Sequence, residues 1–267
     1  MELVIVTGCE GLIGKAITQS LLDLKQYLVV GFDISEKTTS VGENFLYVSG
    51  SVNSKEDIHS LKKVVQDNQN KFKVAGVKGI INCFVAPDYS FKDEVFAPGS
   101  SRHENELDAW RNYPAEDFEM QLIVNVVGIH NILTILFETY SESIDCSIIN
   151  FASQYGKRPP KFSLFRGLEK FTFKAPAYGA SKSSVENYSR YLSVLFEGTG
   201  IRVNCISPGN LMTTQSQEFI EKYIELTVTK RMMKVDEVVD PILYLLSSQS
   251  SYFNGTTIEI DGGWGNK

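Results

Sequence analysis

Tyr178 and Lys182, four positions apart, share one face of a helical segment that opens Tyr178-Gly179-Ala180-Ser181-Lys182 and runs to about Phe196. An ammonium beside a phenol stabilises the phenolate, so the pair could exchange a proton with a carbonyl or hydroxyl oxygen near neutral pH. The same spacing also describes two surface residues of an ordinary helix. A second signal is Thr7-Gly8-Cys9-Glu10-Gly11-Leu12-Ile13-Gly14, where an apolar strand, Leu3-Val4-Ile5-Val6, runs into a helix. Glycines at such a junction bring backbone N–H groups and the positive end of the helix dipole to a pyrophosphate. The next strand closes Val29-Val30-Gly31-Phe32-Asp33. A carboxylate there accepts from the ribose hydroxyls of an adenosine and repels a 2′-phosphate, which favours NAD over NADP. Glu10, an acid inside the glycine loop, points the same way. Asp33 is equally readable as a turn residue that ends a strand.

The elements that must hold these residues follow from the apolar pattern. Strand-length runs recur at 3–6, 28–32, 45–48, 79–85, 147–151, 202–206 and 257–260, several of them apolar throughout. Between them, Ile13, Ala16, Ile17, Leu21 and Leu24, then Ile58, Leu61, Val64 and Val65, repeat at helical spacing. Alternating strand and helix predicts an α/β fold, a doubly wound Rossmann architecture with a parallel sheet of about seven strands and helices on both faces. With 267 residues, 43% hydrophobic, and no linker-like stretch, one domain over 1–267 is expected. Residues 86–114 and 156–177, rich in Pro, Gly and charge, read as long substrate-side insertions at the carboxyl edge of the sheet.

Composition excludes several alternatives. A net charge of -6 opposes nucleic acid or an anionic membrane as partner. The four cysteines, Cys9, Cys83, Cys146 and Cys205, are scattered, and His59, His103 and His130 lack ligand spacing, so neither a disulfide framework nor a metal site is expected. The first apolar run lacks a signal peptide's length and basic flank, which predicts a cytoplasmic protein.

The ordered motifs resemble the short-chain dehydrogenase/reductase family over about the whole chain. They are the loop at 7–14, Asn125 in Val124-Asn125-Val126-Val127-Gly128, Ser153 after the strand at 147–151, the Tyr178/Lys182 pair, Arg202-Val203-Asn204-Cys205-Ile206-Ser207-Pro208-Gly209, and Asp261-Gly262-Gly263. The resemblance implies a dehydrogenase/reductase that moves a hydride between a nicotinamide and a carbonyl or secondary alcohol, assembled as a dimer or tetramer. It implies Tyr178 as acid/base, Ser153 polarising the carbonyl, Lys182 holding the ribose and tuning Tyr178, and Asn125 anchoring a water in a proton relay. It implies cofactor contacts at Gly8, Glu10, Gly11, Leu12, Ile13, Gly14, Asp33, Ser51, Val52, Asn82, Cys83, Phe84, Tyr178, Lys182, Pro208, Gly209 and Leu211, with Thr213 at the carboxamide. Two departures stand out: Asn82-Cys83-Phe84-Val85 replaces the family's Asn-Asn-Ala-Gly, and Ser51 takes the place of an acid that reads adenine.

The segment between Ser153 and Tyr178 is unusually long for the family and carries Lys157, Arg158, Lys161, Arg166, Lys170 and Lys174 against Glu169, interleaved with Phe162, Phe165, Phe171 and Phe173. That composition suits a phosphate beside a base or sugar face, with Lys157, Arg158, Lys161 and Arg166 as candidate substrate contacts. It also suits a solvated loop whose phenylalanines enter a subunit contact. The other insertion is acidic (Asp88, Asp93, Glu94, Glu104, Glu106, Asp108) and could pair with the basic one above the site. In these insertions and in Gln217-Glu218-Phe219-Ile220-Glu221-Lys222-Tyr223 the chain is most similar to the flagellin-modification and surface-glycan branch, associated with nonulosonic-acid and nucleotide-sugar pathways. That likeness implies a phosphorylated or nucleotide-linked sugar substrate. A 3-oxoacyl thioester reductase, which normally uses NADPH, and a non-catalytic NAD-sensing module are the alternatives. Tyr188, Tyr191, Leu192, Leu195 and Phe196 supply more apolar surface than one sheet face needs, which predicts self-association.

Overall fold

The computed structural model describes residues 1–74, 76–86, 106–139, 145–168 and 174–267. Seven strands form one parallel sheet: β1 (Glu2–Thr7), β2 (Tyr27–Asp33), β3 (Phe45–Ser49), β4 (Val77–Asn82), β5 (Cys146–Phe151), β6 (Ile201–Pro208) and β7 (Thr257–Ile260), in the order β3-β2-β1-β4-β5-β6-β7. The strand order reverses between β1 and β4, and the crevice at their carboxyl ends is where such sheets bind ligands. Among the described residues, α1 (Leu12–Asp23) and α9 (Asp236–Leu246) cover one face, and α2 (Lys55–Phe72), α5 (Gly128–Thr139) and α7 (Pro176–Leu195) cover the other. Central strands are buried on both faces, which is why they read as unbroken apolar runs.

Three local expectations are corrected. The strand placed at 79–85 is β4, Val77–Asn82; Cys83, Phe84 and Val85 leave the sheet to cross the glycine loop. No helix separates β2 from β3, where a loop at 34–44 makes the crossover. The long helix expected from 115 is α4 (Ala115–Leu122), a π turn at Ile123–Val127, and α5. The run Ala115–Ile135 is apolar enough by length and composition to cross a membrane. It carries buried Gln121 and Asn125 and packs against α2 and α7, as a core helix does.

Candidate active site

The glycines of the first loop divide the work of shaping the crevice. Gly8 has φ +68°, and a Cβ on it would lie 2.6 Å from the Phe84 nitrogen; one on Gly14 would lie 2.1 Å from the Gly8 oxygen. Both glycines let backbone pass backbone. A Cβ on Gly11 would meet one neighbour within 4 Å, the Gly8 oxygen at 3.2 Å, a tight contact but a milder one than at Gly8 or Gly14. Gly11 precedes α1, whose first turn has no side-chain cap and no acid, leaving its N–H groups to an anion. Beside it lies a cavity of about 520 Å³ lined by Gly8, Glu10, Gly11, Asp33, Ser51, Val52, Cys83, Phe84 and Val124, among others. These features fit an adenine dinucleotide: an uncapped helix end for the pyrophosphate and a carboxylate for the ribose.

Asp33 is held by its surroundings. Its carboxylate accepts from the Glu10 N–H at 2.9 Å and from the Ser35 N–H and hydroxyl at 3.0 Å each. Glu10 turns away: its carboxylate accepts from the Thr38 hydroxyl at 2.6 Å and meets Lys15 at 3.2 Å. Burial pushes its carboxyl up, but the hydrogen bonds from Thr38, Lys15 and Thr39 outweigh that and hold it below the ordinary carboxylate value. Lys15 therefore offsets the Glu10 charge expected to oppose a 2′-phosphate. At Ser51 the backbone N–H donates to Asp57 at 2.8 Å. Phe84 packs over Gly128, where a Cβ would come within 3.0 Å of its ring, so a glycine on α5 admits the unusual aromatic.

Asn82 takes part in a buried row across the strand ends. Thr7 Oγ1 donates to Asn82 Oδ1 at 3.0 Å, Asn82 Nδ2 to Asn150 Oδ1 at 2.8 Å, and Asn150 Nδ2 to Ser189 Oγ at 2.8 Å. Its side chain thus binds neighbouring strands. Leu12, Ile13, Gly14 and the segment Pro208, Gly209, Leu211 and Thr213 lie outside the lining of the 520 Å³ cavity, the last group at the end of β6.

The proton-transfer end is assembled by α6 (Gln154–Lys157) against the first turns of α7. Gly156 and Gly179 make this approach possible, since a Cβ on either would meet the other helix within 3.0 Å. Ser153 caps α6, its Oγ accepting from the Tyr155 N–H at 3.2 Å. Asn125 sits in the π turn, a form of helix that recurs at functional sites. Its amide donates to Gln121 Oε1 and Ser181 Oγ, both at 2.9 Å, and accepts from the Ala86 N–H at 2.8 Å. The Ser181 hydroxyl in turn donates to the Tyr178 carbonyl at 2.9 Å, so Asn125 fixes the turn of helix that carries Tyr178. Both of its amide hydrogens are engaged by protein, so a relay water would have to donate to one of its carbonyl oxygens. Lys182 is buried, donates to the Phe151 carbonyl at 2.7 Å, and lies 5.9 Å from the Tyr178 ring centre. Gln121, Ser181 and Gln154 were not expected from the sequence; isolated polar residues within apolar helical faces were the available sign.

On the substrate side, a cavity of about 650 Å³ lies between α3 (Glu106–Arg111) and the residues 155–166 and 174–180. Lys157, Arg158, Arg166 and Lys174 line it, and Ser153, Tyr178 and Lys182 do not. Lys157 and Arg158 both pair with Glu259, and Arg166 pairs with Glu106 at 2.7 Å, joining the two insertions. Lys161 stands outside this lining, over the Trp264 ring at 5.4 Å. Lys170, Phe171, Phe173, Glu169, Asp88, Asp93, Glu94 and Glu104 lie outside the described residues.

A family model described as enoyl-(acyl carrier protein) reductase matches residues 103–265. Post-translational flagellin modification protein A of Campylobacter coli is 23% identical over 99% of this chain and 98% of its own. For 2-dehydro-3-deoxy-D-gluconate 5-dehydrogenase of Escherichia coli K12 the identity is 24%, over 98% and 95% of the two chains. The crystal structure of a short chain dehydrogenase from Leptospira borgpetersenii with bound NAD+ aligns with TM-score 0.80 and 26% identity, covering 98% of this chain and 92% of that one. The chain belongs to the short-chain dehydrogenase/reductase family and is an NAD(P)-dependent oxidoreductase.

Proposed function

We propose that the enzyme interconverts a secondary alcohol and a ketone on an anionic sugar, phosphorylated or nucleotide-linked, in surface-glycan biosynthesis, with NAD(H) preferred over NADP(H). The observation that carries this reading is that an uncapped helix end and Asp33 line one cavity, and that Cys83 of the same lining lies within electrostatic reach of Lys182, which sits 5.9 Å from the Tyr178 ring centre. The gluconate relative, matched end to end, supports a sugar acid, and the flagellin-modification relative supports a role in modifying a surface protein.

When bound, the nicotinamide supplies the hydride acceptor for oxidation and the donor for reduction. The α1 N–H groups would hold the pyrophosphate and Asp33 would accept from the adenosine ribose, with Phe84 and Val52 in the lining beside them. Ser153, its oxygen already accepting from Tyr155, donates its O–H to the substrate oxygen and orients it. Tyr178 takes the alcohol proton as the C–O bond becomes a carbonyl and returns it in the reverse direction. Lys182 favours the phenolate and would donate to the nicotinamide ribose. Asn125 holds the helix turn that carries Tyr178. Four unpaired cysteines, three of them buried, suit a reducing compartment, and we place this single-domain enzyme in the cytoplasm.

The test is a screen of sugar phosphates and nucleotide sugars with NAD+ and NADP+, following absorbance of the reduced cofactor. Turnover with NAD+ is expected, and Tyr178→Phe should lower kcat by roughly 10²–10⁴-fold while keeping NAD+ affinity. Full activity in Tyr178→Phe would overturn the assignment of the acid/base.

A further inference from the structure

We infer that Lys174 is the residue that reads the substrate's negative charge, and that this charge is an oxyanion within a few bonds of the reacting carbon. The inference rests on the proposed oxidoreductase site and narrows its substrate. Four basic residues line the 650 Å³ cavity, and their charges are not equivalent. Lys157 and Arg158 share Glu259, and Arg166 is matched by Glu106, so an incoming anion would have to displace a carboxylate to use any of them. Among the described residues, no carboxylate lies within ion-pair distance of Lys174. It is held instead by two aromatic faces, 3.9 Å from the Tyr178 ring centre and 5.8 Å from that of Tyr155. A cation–π contact fixes an ammonium without neutralising it, so the full charge is presented to the cavity.

Position then limits the substrate. Tyr178 must reach the reacting oxygen at about 2.6–3.2 Å, and an ammonium contacts an oxyanion at about 2.7–2.9 Å. With Lys174 against the Tyr178 ring, one small molecule meets both only if its carboxylate or phosphate stands close to the reacting carbon. A hydroxy acid or a sugar phosphate that reacts next to its charged group satisfies this. A nucleotide sugar that reacts on the far side of its ring does not.

The test is calorimetric titration of the NADH-loaded protein with glycolate and with glycerol 2-phosphate, beside their neutral counterparts ethylene glycol and glycerol. Tighter binding of an anion than of its neutral counterpart is expected, and which anion binds better decides between carboxylate and phosphate. Lys174→Met should weaken that anion about tenfold or more, and Lys174→Arg should restore most of it. Lys157→Met and Arg166→Met should leave the anion-to-neutral ratio in place. The inference is overturned if neither anion outbinds its neutral counterpart, if Lys174→Met binds as the wild type does, or if Arg166→Met carries the loss instead. Because this titration needs no turnover, its failure is separable from failure of the Tyr178→Phe test.

Discussion

The Lys182 ammonium donates to the main-chain carbonyl of Phe151 at 2.7 Å, from a position almost sealed from solvent. Burial pushes its pKa below the usual lysine value, and the nearby Tyr178 acts in the opposite direction. The folded chain therefore releases this proton more readily than the unfolded one. The stability linked to Lys182 is lowest where the ammonium is charged in both states, and rises with pH through the interval between the depressed and ordinary values. At neutral pH, where the unfolded lysine is charged, folding must either bury that charge or release its proton, a cost that function retains. Lys182→Met is expected to lose turnover and to weaken NAD+ binding. In the cofactor-free protein it should raise Tm at pH 7 by about 2 °C or more, measured by thermal denaturation. A fall of several degrees would mean that the Phe151 bond outweighs the buried charge.

The glycine loop yields a separation of roles. Gly14→Ala would drive a Cβ into the Gly8 oxygen at 2.1 Å, with backbone on both sides unable to give way. It should destabilise the fold by about 3 kcal/mol or more, seen as a lowered denaturation midpoint. Gly11→Ala meets only the Gly8 oxygen at 3.2 Å and has extended φ and ψ of -70° and 164°. The fold should tolerate it to within about 1 kcal/mol, while NAD+ binding weakens because the methyl group intrudes where the phosphate approaches. Equal losses of stability in the two variants would contradict this division.

Cofactor choice is assigned to Asp33, because Lys15 and the Thr38–Thr39 turn hold the Glu10 carboxylate. Asp33→Ala should shift the ratio of NADPH to NADH affinity at least tenfold towards NADPH. It should also lower stability by about 2 kcal/mol, since the Glu10 N–H and the Ser35 donors lose a charged acceptor. Tighter binding of NADPH than NADH by the wild type would refute the preference.

Much of this was legible in the sequence because strands buried on both faces must be apolar throughout, and because a glycine loop after the first strand has few other uses. What escaped were features that depend on tertiary neighbours. That Gly8 and Gly14 serve backbone crossings while Gly11 is less tightly confined requires knowing where Cys83 and Phe84 run. The basic insertion was expected to pair with the acidic one, as Arg166 does with Glu106, but only its packing shows that Glu259 matches Lys157 and Arg158 and that two aromatic rings hold Lys174. Leu192 and Phe196, expected at a subunit contact, are buried in the core of this chain, because the helix face they share points to the sheet.

Glu186 offers a test on the outer part of α7. One of its carboxylate oxygens is buried without a hydrogen-bond partner, and Arg190 approaches the other at 3.8 Å. Burial pushes its pKa up, opposed by Arg190 and Lys157. The folded chain thus holds this proton more tightly than the unfolded one, and stability linked to Glu186 falls as pH rises from the ordinary carboxylate value through the raised one. Glu186→Gln should raise Tm at pH 7 and lose that advantage below about pH 4, where the native carboxyl is protonated in both states. A Tm difference that does not change with pH would assign the effect to packing instead.

Self-association is expected through the outer faces of α4, its π turn and α7, which lie side by side. With Leu192 and Phe196 in the core, the apolar surface left over is Tyr191, 62% exposed, Val194, 72%, and Leu195, 54%, with Ile123 and Val127 on the neighbouring helix at 42% and 45%. Large apolar groups so exposed on two adjacent helices form the kind of patch that a second copy covers, and a two-fold arrangement sets the same patch against itself. Sedimentation at micromolar concentration should show a dimer or tetramer. Val194→Glu combined with Tyr191→Glu should dissociate it, because in a two-fold interface each added charge faces a like charge or a desolvated apolar group. The same changes sit away from Tyr178 and Asp33, so cofactor binding by the dissociated protein reports whether each site is complete within one chain. A wild type that sediments as a monomer would remove the interface, and a double variant that keeps its assembly would move it to another surface.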